Sequence, residues 1–319
     1  MFRWLATPGS MRECAERFGI GISTLHYVIR DVCCAIIDRF QVEVIKFPES
    51  DVEWQCVRKD FSALFGMPNV AGAVDGSHIR IHVPPRKKQR AYYNRKGFHS
   101  IILQGTVKAN GSFMDVYCGW PGSVSDARVW ENSSLSQQLQ ETIPRGSFLL
   151  GDKAYTLTHS MMTPYRRNDE TLKRNRAAKL YNKVHSQTRV VVEGAFGALR
   201  MRWRRLTVPS TVKLEFVPDV VMSACILHNL CKLHHDPLPK DKLKAYVERE
   251  RLFAERLSRE NRRDVAEGTQ RVLQFQQDGS VPTTVPGTSP SGLLVDFQAN
   301  TPKDLRLLVG DWLLSNKRN

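Results

Sequence analysis

Three acidic residues stand in local sequences of different kinds: Asp75 in AGAVDGSHIRIHV, Asp152 in SFLLGDKAY and Glu193 in RVVVEGAFGALRMRWRRL. The first two interrupt or close apolar runs rich in β-forming residues, and the third lies in a stretch with helical period. Such a chain can bring the three carboxylates together where a helix crosses a sheet. Divalent cations prefer oxygen ligands, and two of them held by shared carboxylates can stabilise the attacking and leaving oxygens at a phosphorus centre. The trio predicts metal-dependent cleavage of a DNA backbone.

Each acid alone also has an ordinary structural explanation, since Asp before Gly is common in turns and a lone helical Glu is usually solvated. The wider context is more specific. The chain resembles the catalytic domain of Harbinger-type transposases and the nucleases derived from them. The matching stretches lie within residues 60–235 in the family's order: VDGSHI, YYNRKGFHSIILQGTVKANGSFMDVYCGWPGSVSDARVW, LLGDKAY, VEGAFGALRMRWRRL and ACILHNLC.

The resemblance implies a ribonuclease H-like core and an Asp-Asp-Glu triad formed by Asp75, Asp152 and Glu193. In that family the triad binds two Mg²⁺ ions, for which Mn²⁺ can substitute, and the enzyme cuts and rejoins phosphodiester bonds at transposon ends. The implied partners are double-stranded DNA of the terminal repeats, a Myb-like accessory protein and, by analogy, a second copy in a homodimer. The implied location is the nucleus, with a cytoplasmic pool.

Two other functions remain open at this point. A domesticated protein with the same fold can bind DNA without cutting it, although that reading would be favoured by a missing acid and all three acids are present. An adaptor protein could use a basic surface to bind acidic proteins instead.

Charge and length narrow the class of partner. The 319 residues suffice for one sizeable core with flanking modules, and 47 Lys and Arg against 32 Asp and Glu leave a net charge of +15. That excess favours a polyanion such as nucleic acid. We expect no membrane association, because no apolar run of bilayer-spanning length and no signal peptide are evident. Seven cysteines without framework spacing indicate reduced thiols.

The elements expected to position the acids follow in order along residues 60–235. Apolar and polar side chains alternate along residues 70–82, which predicts a first strand. A hairpin is predicted next, with SIILQGTVK and SFMDVYCGW as its strands and Ala109-Asn110-Gly111 as its turn. SFLLGD is predicted to be a further strand. SDARVWENSSLSQQL is predicted to be one helix that starts near Ser125. The fold class is therefore α/β, a ribonuclease H-like mixed sheet flanked by helices.

Residues 1–48 are predicted to form a helical, helix-turn-helix-like DNA-binding region, although such helix pairs also serve as scaffolds. Ser23 is the expected N-cap of the second helix, and Ser23 and Thr24 are candidate DNA contacts. Leu25, Val28, Ile29, Val32 and Ile36 follow helical spacing on one face. Compared with the family, the chain opens inside the helical region, so we expect an upstream helical segment to be absent.

A basic stretch after the first strand supplies further candidate DNA contacts. Positive side chains there can hold phosphates while neighbouring aromatic rings stack on unpaired bases, although a solvated face or a nuclear import signal would have the same composition. On the helix of Glu193, Arg200 can hold a phosphate beside the metal, or simply complement the helix dipole. The candidates are Arg86, Lys87, Lys88, Arg90, Arg95, Lys96 and Arg200.

Two other polar groups are assigned structural roles. Cys225, His228, Cys231 and His234 recur every third residue, but on a straight helix the first and fourth point to opposite sides, so they cannot converge on zinc. We expect a packing helix with His228 in the core. Asp126 could be an auxiliary ligand, but its simplest role is to accept backbone amides at a helix start, so it stays outside the triad.

Residues 236–319 differ in character from the rest. Residues 240–263 are predicted to be a charged helix, followed by a linker rich in Gly, Pro, Ser and Thr. The last segment, TPKDLRLLVGDWLLSN, has apolar spacing that suits either docking onto the core or contact with a partner. The sequence does not choose between those two.

Overall fold

The computed structural model describes residues 1–236, the separate positions 238, 241, 245 and 246, and residues 294–316. Within these residues the strands are β1 (Val70–Arg80), β2 (Ser100–Val107), β3 (Phe113–Pro121), β4 (Phe148–Leu150) and β5 (Met161–Met162). The helices are α1 (Phe2–Ala6), α2 (Met11–Arg17), α3 (Ile22–Val44), α4 (Asp51–Phe65), α5 (Gln89–Tyr92), α6 (Asp126–Glu131), α7 (Ser134–Thr142), α8 (Glu170–Arg174), α9 (Arg176–Arg202), α10 (Val217–Leu233) and α11 (Pro302–Asn316).

The five strands form one mixed sheet in the order β3-β2-β1-β4-β5. The first three strands pair antiparallel, and β4 and β5 add parallel to β1. All eight residues of β2 are buried, as expected for a strand covered on both faces. The predicted α/β class, a mixed sheet flanked by helices consistent with a ribonuclease H-like core, is confirmed.

The predicted hairpin between β2 and β3 is also confirmed, and its turn chemistry explains its position. Gly111 has a φ of 79°, a region that glycine adopts without steric cost. The Lys108 amide donates to the Ser112 carbonyl at 2.9 Å, and the Asn110 side chain accepts from the Ser112 amide at 2.9 Å. On its other edge β2 pairs with β1, where Asp75 lies opposite Gly105.

Helix α9 lies against β1 and β2 and carries Glu193. Its start is fixed by Asn175, whose side-chain oxygen accepts from the amides of Ala177 and Ala178 at 2.7 and 3.3 Å. The consecutive valines Val190–Val192 are all buried, so the helix is covered on more than one side. A helix packed in this way holds its polar side chains at defined positions over the sheet.

The N-terminal pair α2 and α3 meets at 96°, within the range of helix-turn-helix motifs. The predicted N-cap was wrong: Gly21 caps α3 and exposed Ser23 lies inside its first turn. The predicted face was right for Leu25, which is buried, but Val28 is 38% exposed.

Four residues of α3 face the core, namely Leu25, Ile29, Cys33 and Ile36. The buried side chains of α1 to α3 and of the sheet belong to one hydrophobic core, and α3 packs on α10. The boundaries near residues 48, 60 and 235 therefore remain predictions.

The helix expected after β3 is divided in two. Ser125 caps α6, as predicted, by accepting from the Arg128 amide at 3.4 Å. The chain then turns, and Ser133 caps α7 by accepting from the Ser136 amide at 3.1 Å. Helical spacing alone predicted one continuous helix, but Ser133 in ENSSLS provides a second N-cap and so starts a second helix.

The last described segment docks onto α9. Residue Gly310 of α11 lies so close to α9 that an added Cβ would be 2.7 Å from the Ala177 carbonyl oxygen. The Arg306 guanidinium lies over the Tyr165 ring at 3.7 Å from its centroid. The sequence left open whether this segment docks onto the core or contacts a partner, and in the structure it docks onto the core. Apart from positions 241, 245 and 246, the predicted helix at 240–263 lies outside the described residues, as does nearly all of the following linker.

One helical stretch, Leu214–Leu233, is apolar and long enough to cross a bilayer, contrary to the expectation that no such run exists. Half of that window is buried, and α10 packs against α3 and β3. Burial in a protein core requires the same apolar composition as a membrane span, so length and composition are weak evidence here.

Candidate active site

Asp75 occupies the middle of β1, and its side chain is 18% exposed. Burial raises the pKa of this carboxyl to about 7. The positive charge of Arg189 opposes that shift, whereas the charges of Glu193 and Asp152 add to it. The three predicted acids are therefore close enough to act on one another.

Asp152 stands two residues after the end of β4, and the parallel register explains its position. Ala73 of β1 pairs with Leu150 of β4, so the two acids each stand two residues beyond a matched pair. The Asp152 carboxylate accepts from the Ala154 amide at 2.7 Å, and its carbonyl accepts from the Tyr155 amide at 3.2 Å. This turn holds the acid at the strand end.

Glu193 joins the site through a residue that sequence reasoning missed. Arg189, one turn earlier on α9, donates from Nη1 to Asp75 at 2.8 Å and from Nη2 to Glu193. Burial lowers the pKa of Arg189, but the charges of Glu193, Asp75 and Asp152 outweigh that effect and raise it. The i,i+4 spacing of Arg189 and Glu193 was a signal available in the sequence.

The donor chemistry of these acids fits a divalent cation. The candidate ligands are carboxylate oxygens, which divalent cations prefer. Among the residues that the structure describes, no group of three or more acidic, His or Cys side chains is already arranged around a metal position. Arg189 bridges Asp75 and Glu193, so those two acids could share an ion only after this guanidinium moves.

The candidate DNA contacts of the basic loop are exposed, namely Arg86, Lys87, Lys88, Arg90, Arg95 and Lys96, as are Ser23 and Thr24 of α3. The loop end lies near Asp126. Burial and the charge of Asp152 raise the pKa of Asp126, while Arg95 and Lys96 act in the opposite direction. Contact of any of these residues with DNA stays a prediction.

Arg200 has a role within the protein. Its Nη2 donates to the Ser77 hydroxyl and, at 3.4 Å, to the His78 carbonyl, which ties the end of α9 to β1 beside Asp75. The neighbouring arginines do not form a solvent-facing cluster as a set, because Arg205 is buried and donates to the Gly9 carbonyl at 2.7 Å. Binding of a phosphate by Arg200 stays a prediction.

The ACILHNLC helix packs in the core as expected. His228 is 2% exposed, and its Nε2 lies 3.0 Å from the Gly111 carbonyl oxygen. Asn229 accepts from the Phe113 amide at 2.8 Å and so ties α10 to the start of β3. Cys225 and His228 are therefore packing residues.

Comparison with known proteins agrees with this geometry. Residues 74–229, which contain all three acids, match the family described as DDE superfamily endonuclease. The chain is 32% identical over 233 residues to rat and human proteins named “Putative nuclease HARBI1”, an alignment that covers 72% of this chain and 64% of each relative.

A more distant relative is the Arabidopsis thaliana protein named “Protein ALP1-like”, which is 24% identical over 246 residues, 72% of this chain and 58% of the relative. The chain thus spans less than two thirds of the length of these relatives. No solved structure matches it. The matched domain, the mixed sheet and the identity to these relatives place the chain in the Harbinger-derived DDE nuclease family.

Proposed function

We propose that this chain is a metal-dependent DNA endonuclease whose acids are Asp75, Asp152 and Glu193. The observation that supports it most directly is the parallel register of β1 and β4, in which Asp75 and Asp152 each stand two residues beyond the Ala73–Leu150 pair, while Arg189 joins Asp75 to Glu193. Asp75 is costly to keep inside a sheet, because burial penalises its charge and the pairing with Arg189 only opposes that penalty. Acids kept at such a position are expected to serve a ligand or a reaction.

Asp75, Asp152 and Glu193 would hold Mg²⁺, or Mn²⁺ in its place. When bound, the metal would activate the attacking water or DNA 3′-hydroxyl and offset charge on the leaving oxygen. The protein's own groups act around that centre. Arg200 keeps α9 on β1, and the turn at Asp152 fixes the second carboxylate. Catalysis then depends on positioning and on charge complementarity.

Double-stranded DNA is the proposed substrate. The net charge of +15 and the exposed basic loop after β1 would attract the phosphate backbone, and the loop end lies near Asp126. The perpendicular α2–α3 pair would add sequence-specific contacts through Ser23 and Thr24. Deleting residues 1–48 should weaken specific binding, and unchanged affinity and specificity would contradict this assignment.

The more detailed proposal is a transposase acting in the nucleus. Strand transfer at terminal repeats, a Myb-like accessory protein and a homodimer that pairs two DNA ends would all follow from it. A strand-transfer assay with a labelled terminal-repeat duplex tests this part separately from simple cleavage. Cleavage without joining would reduce the function to an endonuclease.

The decisive experiment is nicking of supercoiled plasmid in Mg²⁺ by the wild type and by Asp152→Asn. We expect the wild type to nick and the variant to lose cleavage while it still binds DNA. Asp60→Asn is the matched control, because this half-buried acid of α4 lies among Lys59 and Lys108 rather than among the site acids. If no protein shows metal-dependent cleavage, the enzyme proposal is wrong.

One observation favours a second candidate, a domesticated DNA-binding protein that does not cut. Arg189 already neutralises part of the acid group by pairing with Asp75 and Glu193, as a permanent internal cation would. In that case the wild type would bind DNA, show no nicking, and gain no thermal stability from Mn²⁺. The same plasmid assay therefore separates the two candidates.

A further inference from the structure

The backbone at Gly76 of β1 lies close to an acid of another element, Asp126 of α6. A Cβ added at Gly76 would lie 2.0 Å from Oδ1 of Asp126 and 2.8 Å from its Cγ. Gly76 does not have the positive φ that would itself call for glycine. A glycine inside a strand weakens it, so this one is best explained by the close approach of the Asp126 carboxylate to the backbone beside Asp75.

Asp126 does not serve the role expected for an acid at a helix start. Ser125 caps α6 instead, by accepting from the Arg128 amide. Within the part of the chain that the structure describes, the Asp126 carboxylate has no hydrogen-bond or ion-pair partner. A half-buried carboxylate loses hydration, and for Asp126 only the charges of Arg95 and Lys96 oppose that cost.

A second polar group without a partner lies at the same place. Tyr155 is 4% exposed, and among the described residues its hydroxyl has no hydrogen-bond partner. Burial raises the pKa of this hydroxyl. Three carboxylates raise it further by their charge, those of Asp75, Asp126 and Asp152. The Tyr155 ring rests edge-on against Trp130 of α6, at 6.0 Å between centroids, so its position is coupled to the helix of Asp126. A buried donor without a partner beside these acids is suited to bind a polar ligand.

We propose that Asp126 is a fourth carboxylate of the site, binding a divalent cation together with Asp75 and Asp152, and that Gly76 and Tyr155 position it. This inference rests on the proposed metal-dependent function and adds a ligand to it. Gly76 leaves the space that the Asp126 carboxylate needs, and the Tyr155 hydroxyl would donate to a carboxylate or to a bound water once the cation is in place.

Calorimetric titration of the full chain with Mn²⁺ tests the proposal without requiring cleavage. We expect Asp126→Asn to weaken Mn²⁺ binding by roughly 10-fold or more, and to raise by a similar factor the metal concentration needed for half-maximal nicking. Asp60→Asn is the control and should bind as the wild type does. Equal Mn²⁺ affinity and equal metal dependence in Asp126→Asn and wild type would overturn the inference while leaving the endonuclease proposal intact.

Failure of the wild type to bind Mn²⁺ or to nick would instead refute the proposed function, and the inference with it. A double-mutant cycle covers the case in which Asp126→Asn does not fold. Gly76→Ala should lower the melting temperature because its Cβ displaces the Asp126 carboxylate, and Asp126→Ala should relieve that loss. If Gly76→Ala destabilises the protein equally in both backgrounds, the contact does not position Asp126 and the inference is wrong.

Discussion

Arg189 and Asp75 are 114 positions apart in the chain, yet their side chains meet at 2.8 Å over the centre of the sheet. Both side chains are only 18% exposed, so water screens this pair less than it would a surface pair. The same guanidinium also pairs with Glu193. Without a metal, one arginine therefore joins two of the three acids on which the proposed chemistry depends.

The first prediction follows from that arrangement. Arg189→Ala would leave Asp75 and Glu193 unpaired, and breaking a buried pair in this way typically costs roughly 3–5 kcal/mol. We expect a lower melting temperature in EDTA and a larger thermal stabilisation by Mn²⁺ than in the wild type, because the cation no longer competes with the guanidinium. Differential scanning calorimetry with and without Mn²⁺ measures both effects.

The control for that variant is Arg39→Ala. Arg39 pairs with Glu43 at 3.1 Å, but both side chains are more than 60% exposed. The substitution should therefore lower the free energy of unfolding by less than about 1 kcal/mol. An Arg189→Ala protein as stable in EDTA as Arg39→Ala would show that the bridge has no role in holding the acids.

The second prediction concerns pH. Burial lowers the pKa of His228 to about 3 from an ordinary value of 6.5, and burial lowers the pKa of His185 equally far. Below pH 6.5 the unfolded chain takes up protons that the folded chain cannot bind. The free energy of unfolding should therefore fall as the pH drops from 6.5 towards 3, by at most about 1.4 kcal/mol per pH unit for each histidine.

Urea denaturation of His228→Gln and wild type between pH 7.5 and 4.5 checks this slope. Raised carboxyl pKa values, such as that of Asp75, change the free energy of unfolding in the opposite direction as the pH falls. That contribution is the same in both proteins, so it cancels when their slopes are subtracted. We expect the variant to lose less stability per pH unit than the wild type. Exposed His26→Gln should keep the wild-type slope, and an identical slope in all three proteins would contradict the assignment of His228 to the core.

The third prediction tests the docking of α11. In Gly310→Ala the new Cβ would stand 2.7 Å from the carbonyl oxygen of Ala177, and a backbone atom of α9 cannot yield as a flexible side chain would. We expect a loss of roughly 1–3 kcal/mol in stability and faster proteolytic release of the C-terminal segment. Lys303→Ala, at an exposed position on the same helix, should change neither.

The fourth prediction addresses the basic loop. Replacing Arg86, Lys87 and Lys88 by alanine should weaken DNA binding and flatten its salt dependence, by roughly 0.9 in the logarithmic slope for each lost phosphate contact. Fluorescence anisotropy of a labelled duplex at several salt concentrations measures the slope. The matched control replaces Lys173, Arg174 and Arg176, exposed residues outside the predicted contact set. Equal slopes in both triple variants would assign the loop a role other than DNA contact.

Local patterns were sufficient for the individual elements. Alternating apolar residues identified β1, turn residues identified the β2–β3 hairpin, and the hydroxyl of Ser125 identified the start of α6, because each signal acts within a few neighbouring positions. Helical geometry argued against a zinc site at Cys225, His228, Cys231 and His234, and the alternative, a core position for His228, is confirmed. The N-cap at Ser23 failed because Gly21 and Ser23 both suit a helix start and nothing local decides between them.

By itself, the sequence determined the class of fold, the family and the three acids proposed for catalysis. Only the tertiary structure decided how those acids relate. The parallel register that aligns Asp75 with Asp152, the bridge made by Arg189 and the approach of Asp126 to Gly76 all join residues far apart along the chain. Contacts of this kind depend on strand register and close packing, which no periodicity within a short window specifies.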